Sequence, residues 1–281
     1  MKFGLLFFVA FLSLSTFSQD HTSRAELLQI IENKQALVHL DLSGEDLSGI
    51  NFDGLNLTAS NFESCIFSKD GLKASFKQSV MTGCLFNYAQ LEGVDMSQAK
   101  LIGASFVKAK IKSVTLIEAD LTAAQFNEAD MESANLSRST CVSTQFRNAK
   151  LGSVIGFSAN YNSADFGEAS DLSNANFRSS NFNNALFSSS GMTSCNFSKS
   201  SFIGASFELV KADKVNFTEC NFNSARLLNC ELELSDFSRS SFIGTWLIGS
   251  SFCRSSFNEI DGHTQKISNS KGLFDGIKAC D

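Results

Sequence analysis

The chain has 281 residues, a formal net charge of -6, 28 Phe against 2 Tyr and 1 Trp, and no proline. The acidic balance argues against a phosphate-backbone binder, which relies on Lys and Arg. Proline cannot donate to a β-ladder, so its absence implies backbone that is paired almost throughout.

In chain order, the first element is a leader. Lys2 precedes an apolar run from Phe3 to Leu14, followed by Ser15, Thr16, Phe17 and Ser18. This reads as a signal peptide over 1–18, cleaved after Ser18, and implies a secreted or periplasmic protein. The run is short of the roughly 20 residues a spanning helix needs, and no later segment is apolar enough to cross a membrane. Residues 19–40 form an N-terminal cap. Ser23 with Glu26 is a capping box ahead of Leu27, Leu28, Ile30 and Ile31, which predicts a helix over about 23–34.

Residues 41–258 are a repeat. A large apolar residue returns every five positions: Leu42, Leu47, Phe52, Leu57, Phe62, Phe67 and Leu72; then Phe76 through Phe166; then Leu172 through Phe257. A small residue stands two positions before it, as at Ala99, Ala104, Ala119 and Ala134, and Asn or Asp often lies between, as at Asp120, Asp130 and Asn135. The unit is small, Asn/Asp, Leu/Phe, polar, variable, in about 44 copies. A period of five fits neither helix nor strand. It fits a four-sided coil of about 20 residues, stacked about 4.8 Å apart, in about 11 coils and a rod of about 50 Å. The frame slips twice, one residue short between Leu72 and Phe76 and one long between Phe166 and Leu172. No insertion longer than one residue is expected. Gly156 leaves a hole in the large slot for Ile155 or Phe157 to fill.

This unit resembles that of the pentapeptide-repeat family, commonly written A-(D/N)-L-x-x. The resemblance implies an all-β solenoid, a right-handed quadrilateral β-helix with a short N-terminal capping helix. Some members of that family resemble B-form DNA, dimerise through their C-terminal ends and protect DNA gyrase from quinolones.

A 20-residue coil places charges above one another. It sets Lys108, Lys110 and Lys112 beneath Glu128, Asp130 and Glu132, Asp130 beneath Lys150, Lys100 beneath Asp120, Glu118 beneath Arg138 and Lys211 beneath Glu231. Arg226 lies beneath Trp246, a cation–π geometry and a surface-contact candidate. The tail, 259–281, carries Ile267, Leu273, Phe274 and Ile277, suited to a second cap or to a homodimer contact.

Of eight Cys, Cys65, Cys84, Cys195, Cys220 and Cys230 fall in the small inward slot and Cys141 in the large one, where Cys packs as a small hydrophobe. Cys65 and Cys84 would stack on one face, near the limit of disulfide geometry. Cys253 and Cys280 lie outside the inward slots, and a disulfide between them would staple the tail to the last coil. The acceptor patterns at Asn56, Asn135, Asn196 and Asn216 are generated by the repeat itself. His21, His39 and His263 have no ligand-spaced partner, no nucleophile motif is present, and no cofactor is implied. The reading is an exported, non-catalytic structural or protein-binding rod with an unidentified protein partner. The alternatives are a DNA-mimicking gyrase partner, disfavoured by the leader, and a carbohydrate-binding β-helix, for which Trp246, Phe157 and Tyr88 are the exposed aromatics.

Overall fold

The computed structural model describes residues 21–33 and 35–261, together with the backbone of a short strand at 266–268. The leader, Cys280 and most of the tail lie outside the described residues.

Most five-residue units share one conformation; in some, as at Val215 and Cys220, the small residue's N–H donates instead to a serine hydroxyl of the next coil. The first residue of the unit bridges to the neighbouring coils and the second points inward. The third and fourth make a turn, and the fifth, small, points inward again. The fourth residue sits in the left-handed region whatever its side chain, as at Lys108 (φ 58°), Glu118 (φ 58°) and Arg138 (φ 60°). That conformation costs a non-glycine residue about 1–2 kcal/mol. Two local bonds offset it. The Asn or Asp side chain at the first position accepts from the N–H two residues on, as Asp120 Oδ1 does from Thr122 N at 3.1 Å. The small residue then closes the corner, as Ala119 N donates to Leu116 O at 3.2 Å. Asn/Asp at this position is thus a turn-making choice.

Coils pair in parallel, 20 residues apart. Lys100 bridges Asp120, Asp120 bridges Thr140 and Asn196 bridges Asn216. Each bridge residue both donates to and accepts from the coil before it: Asp120 N donates to Ala99 O at 2.9 Å, and Asp120 O accepts from Leu101 N at 2.7 Å, the residues flanking its bridge partner Lys100. A proline at any bridge position would break such a bond.

The core runs the length of the coil. Phe62, Phe86, Phe106, Phe126, Phe146, Phe166, Phe187 and Phe207 form one column with centroids 4.7–5.4 Å apart and near-parallel rings. Phe177, Phe197, Phe217, Phe237 and Phe257 form a second. Tyr161, Phe182, Phe202, Phe222 and Phe242 form a third. Neighbouring columns meet edge to face, as Phe197 and Phe202 do at 5.4 Å and 72°. Such pairs add about 0.5–1.5 kcal/mol each beyond area burial. The Phe excess is therefore the core.

Helix α1 (Arg24–Glu32) carries the expected capping box: Glu26 N donates to Ser23 Oγ and Ser23 N to Glu26 Oε2. Leu27 is buried in the core cluster, and the Arg24 guanidinium donates to Asp46 O and Ser48 O. Toward the other end the coil flattens on one side into a parallel sheet of β3 (Leu186–Ser188), β4 (Ser206–Glu208), β5 (Arg226–Leu228), β6 (Trp246–Ile248) and β7 (Lys266–Ser268).

The structure corrects the frame at one of the two slips. The first slip is an insertion. Asn51 bridges Ser75, Asn61 bridges Leu85 and Ile66 bridges Gln90, each 24 positions on. The extra residues form an antiparallel hairpin of β1 (Ser68–Lys69) and β2 (Leu72–Lys73). Asp70 (φ 52°) and Gly71 (φ 81°) make its two-residue turn, a pair suited to two successive positive φ values. Leu72 is therefore outside the core, 59% exposed. The second slip is a single extra residue, as expected: Lys150 bridges Asp171 and Asp165 bridges Leu186, with Glu168 and Ala169 both left-handed.

The hole at Gly156 is not filled by its chain neighbours. Ile155 and Phe157 are 40% and 39% exposed. A Cβ at Gly156 would meet the Tyr161 hydroxyl and, at 2.8 Å, two Phe177 ring carbons. Tyr161, the one tyrosine in a large slot, places its extra oxygen where the glycine leaves room.

Candidate binding surfaces

The side of the coil that follows the sheet side carries more charge than any other, and its bridge column alternates in sign through Lys110, Asp130, Lys150 and Asp171. Lys108 meets Glu128 at 3.4 Å and Glu118 meets Arg138 at 3.0 Å at the neighbouring corners. On the side itself, Lys112 lies 2.6 Å from Glu132 and 3.4 Å from Asp130, and Lys150 lies 3.8 Å from Asp130. These pairs stand as the 20-residue spacing places them. Lys110 with Asp130, Lys100 with Asp120 and Lys211 with Glu231 are backbone bridge partners, but among the described residues none of these three forms an ion pair. Exposed pairs contribute at most about 1 kcal/mol each and act mainly on register. Further pairs follow the same geometry: Lys199 and Arg239 both reach Glu219, at 3.6 and 3.7 Å. Arg147 lies 2.6 Å from Asp165.

Arg226 and Trp246 are register partners on β5 and β6, with the guanidinium carbon 5.2 Å from the ring centroid. Trp246 is 37% exposed. Lys108 sits 6.0 Å over the exposed Tyr88 ring in the same relation, a pair that the 20-residue spacing also encodes.

The hairpin is anchored to the coils on either side. Lys69 Nζ lies 3.1 Å from Asp46 Oδ2. Leu72 Cβ lies 3.6 Å from where a Cβ on Gly49 would stand, and the Lys73 amine crosses Gly93. The Ser48 hydroxyl and N–H, joined by Lys69, hold the Asp46 carboxyl down at about 2. The insertion escaped the sequence reading because Leu72 happens to satisfy the five-residue spacing. The readable signal was Asp70-Gly71, the strongest short hairpin dipeptide.

Cys65, Cys84, Cys141, Cys195, Cys220 and Cys230 are free and buried. Burial drives the thiols of Cys65, Cys84, Cys141, Cys195 and Cys220 up to about 12 and that of Cys230 to about 11. Most donate to a carbonyl of the preceding coil, as Cys195 Sγ does to Leu172 O at 2.7 Å. They lack the electropositive, accessible setting of a reactive thiol. Cys65 and Cys84 do not stack. The hairpin lengthens that coil, so Cys65 lies against Ala89 and Cys84 against Ser60. Cys253 is buried and is not among the free thiols, and Cys280 lies outside the described residues.

In the acceptor patterns the Asn side chain is engaged with its own hydroxyl residue. Asn56 Oδ1 accepts from Thr58 N at 3.1 Å and Thr58 Oγ1 at 2.6 Å, and Asn135 and Asn216 do the same with Ser137 and Thr218. His21 bonds Ser43 O at 2.9 Å, and His263 lies outside the described residues. No group of three or more His, Cys, Asp or Glu placed to hold a metal occurs among the described residues. No helix among them is long and apolar enough to cross a membrane.

The family model for pentapeptide repeats matches the chain in 8 copies, over residues 37–68, 79–116, 115–152, 170–208 and 211–259. The hairpin and the one-residue insertion fall at or in the breaks between these segments. No curated protein matches. Among solved structures, the chain is similar to HetL, a pentapeptide repeat protein involved in heterocyst differentiation regulation from the cyanobacterium Nostoc. The identity is 20% over 86% of this chain and 95% of that one, with a TM-score of 0.33. It is also similar to full-length QnrB1, a plasmid-mediated fluoroquinolone resistance protein, at 15% identity over 63% of this chain and 91% of that one, TM-score 0.29. A pentapeptide repeat protein of the Arabidopsis thaliana thylakoid lumen aligns at 26% identity over 45% of this chain and 68% of that one, TM-score 0.20. The chain belongs to the pentapeptide repeat family, and its coil is the right-handed quadrilateral β-helix of that family.

Proposed function

We propose that this chain is an exported, non-catalytic rod that works by presenting its outer faces to a protein partner. The observation that carries the reading is the division of labour between inside and outside. Beyond Glu45 in the first coil, the described inward slots hold apolar or small residues, and the thiols among them are buried and driven toward neutrality. The outside carries alternating charge, exposed aromatics and one anchored hairpin. In this reading about 11 coils form the rod, α1 covers its first coil through Leu27 and Arg24, and the tail covers the last, tied by a Cys253–Cys280 disulfide. Six free thiols among eight cysteines support that pairing, because they leave just these two. Export rests on the leader and its cleavage after Ser18.

Gyrase mimicry gains nothing from the surface. Lys108, Lys112 and Lys150 interrupt any continuous acidic face, which a DNA mimic needs. The test is cross-linking of the mature chain in its own extracellular or periplasmic fraction, with the hairpin-deleted chain in parallel. A partner captured by the first and lost from the second supports the reading. Absence of any cross-linked protein contradicts it. Protection of gyrase supercoiling from a quinolone would replace it with the mimic.

A further inference from the structure

One unit combines two departures from the repeat rule. At Ile155-Gly156-Phe157 both outward positions are large and apolar and the inward one is glycine. Among the phenylalanines from 42 to 258, Phe157 alone stands outside the inward slot. The departure is costly in three ways. Two large apolar side chains face solvent, 40% and 39% exposed. The core slot is empty of a side chain. The Tyr161 hydroxyl that occupies the space is fully buried and has no hydrogen-bond partner. Local departures from a repeating rule concentrate at functional or strained positions.

The surface above this unit is a groove of about 340 Å³ lined by Phe157, Ser158, Asn176, Arg178 and Ser179. Of its polar side chains, Asn176 and Arg178 offer donors, and the hydroxyls of Ser158 and Ser179 can donate or accept. Ile155 bridges Asn135 on one side and Asn176 on the other, and Asn176 bridges Asn196. The Oδ1 atoms of all three asparagines are taken up by their own turns, accepting from Ser137 N at 3.0 Å, Arg178 N at 3.3 Å and Ser198 N at 3.1 Å. Their Nδ2 groups remain as donors with no partner among the described residues. The Arg178 guanidinium likewise has no ion pair or side-chain hydrogen bond there. By contrast Arg138, at the near corner, is committed to Glu118, and Arg226 to the face of Trp246.

We propose that this groove binds a uronate-bearing glycan. Phe157 offers an apolar platform to the C–H face of a sugar ring, Arg178 takes the carboxylate in a bidentate pair, and the Asn176 amide, in line with those of Asn135 and Asn196 beside the groove, donates to ring hydroxyls. A neutral glycan leaves Arg178 unused, and a chain of acidic residues alone gives Phe157 no ring face. The proposal does not depend on whether the rod also holds a protein partner.

The experiment is titration of the mature protein with oligogalacturonate, with dextran and poly-glutamate as the neutral and ring-free probes. Oligogalacturonate should bind, and at least about tenfold more tightly than either control. Phe157→Ala and Arg178→Ala should each weaken it about tenfold or more, the loss expected for a charged-group hydrogen bond or its platform. Trp246→Ala, at the other exposed aromatic–Arg pair, should leave affinity unchanged. Both groove variants alter exposed side chains, and an unchanged circular dichroism spectrum checks folding. No uronate binding at millimolar concentration, equal binding of dextran or poly-glutamate, or retention of affinity in either groove variant overturns the proposal.

Discussion

Tyr161→Phe should make the protein more stable. The phenol is fully buried, its hydroxyl has no partner, and burial drives its pKa well above the ordinary value, so it stays neutral. An unsatisfied buried hydroxyl costs about 1–3 kcal/mol in lost hydration. Removing it forfeits the dispersion contacts of one oxygen, each about 0.1–0.2 kcal/mol and together under about 1 kcal/mol. The net gain is about 1 kcal/mol, or about 2–4 °C in Tm for a chain of this size. Gly156→Ala should act the other way, by about 1–3 kcal/mol, because its Cβ would meet both the hydroxyl and the Phe177 ring. The double variant should recover about 1 kcal/mol of that loss relative to additivity, since one of the two obstructions is gone. Thermal and urea unfolding of the mature chain and the three variants measure all of this. A Tm lowered by Tyr161→Phe would mean that the hydroxyl holds a buried partner. Strict additivity would refute the shape compensation between Gly156 and Tyr161.

The six free thiols should resist iodoacetamide at neutral pH in the native protein and react in denaturant, as mass spectrometry would count; native labelling would place them outside the core. Their folded pKa values exceed the ordinary value of about 9, so the folded state favours the protonated thiols. That stability is complete below pH 9 and is lost as pH rises toward 12. An alkaline unfolding transition in that window should therefore shift upward in Cys141→Ala relative to the parent, once the neutral stability difference is subtracted. Asp46 has a depressed pKa of about 2, so its hold on the hairpin through Lys69 persists above pH 4 and fades as pH falls toward 2. Protease cleavage at the hairpin should rise over that interval and should rise at all pH values in Asp46→Ala. Excision of residues 69–72 should restore a 20-residue coil and leave the circular dichroism spectrum and Tm unchanged; a chain that fails to fold would make the hairpin part of the coil.

Most of the fold was legible in the sequence because one constraint repeats. Inward size and outward polarity recur every five residues, so Phe106, Ala119 or Asp120 is assigned many times over by its neighbours in the frame. Ser23 and Glu26 announced α1 through chemistry that is local in sequence. Charge pairs such as Lys112 with Glu132 followed from the coil length alone. The failures lie where two frames fit equally well. Leu72 satisfied the spacing by accident, and the same error carried Cys84 onto the wrong side of the coil, because an inserted hairpin lengthens every pairing that spans it, as Asn61 with Leu85 shows. At Gly156 the compensating atom comes from Tyr161 on the next side of the coil, a relation no spacing rule reports. The surface was legible as a pattern of charge but not as a site. A site here depends on which donors the turns leave unused, and that is visible only once the bonds of Asn135, Asn176 and Asn196 are drawn.

The central claim is that one continuous coil fixes what lies inside, with every addition carried on its outside. Leu72 tests this most directly, standing between Phe67 and Phe76 in the run of large apolar residues, yet 59% exposed where both phenylalanines are fully buried. Leu72→Asp, measured by thermal unfolding beside Phe76→Asp, should leave Tm within a degree or two of the parent, while Phe76→Asp, which buries an unpaired charge, should abolish cooperative unfolding or lower Tm steeply. A loss at Leu72 as large as that at Phe76 would return Leu72 to the core and contradict the coil described above.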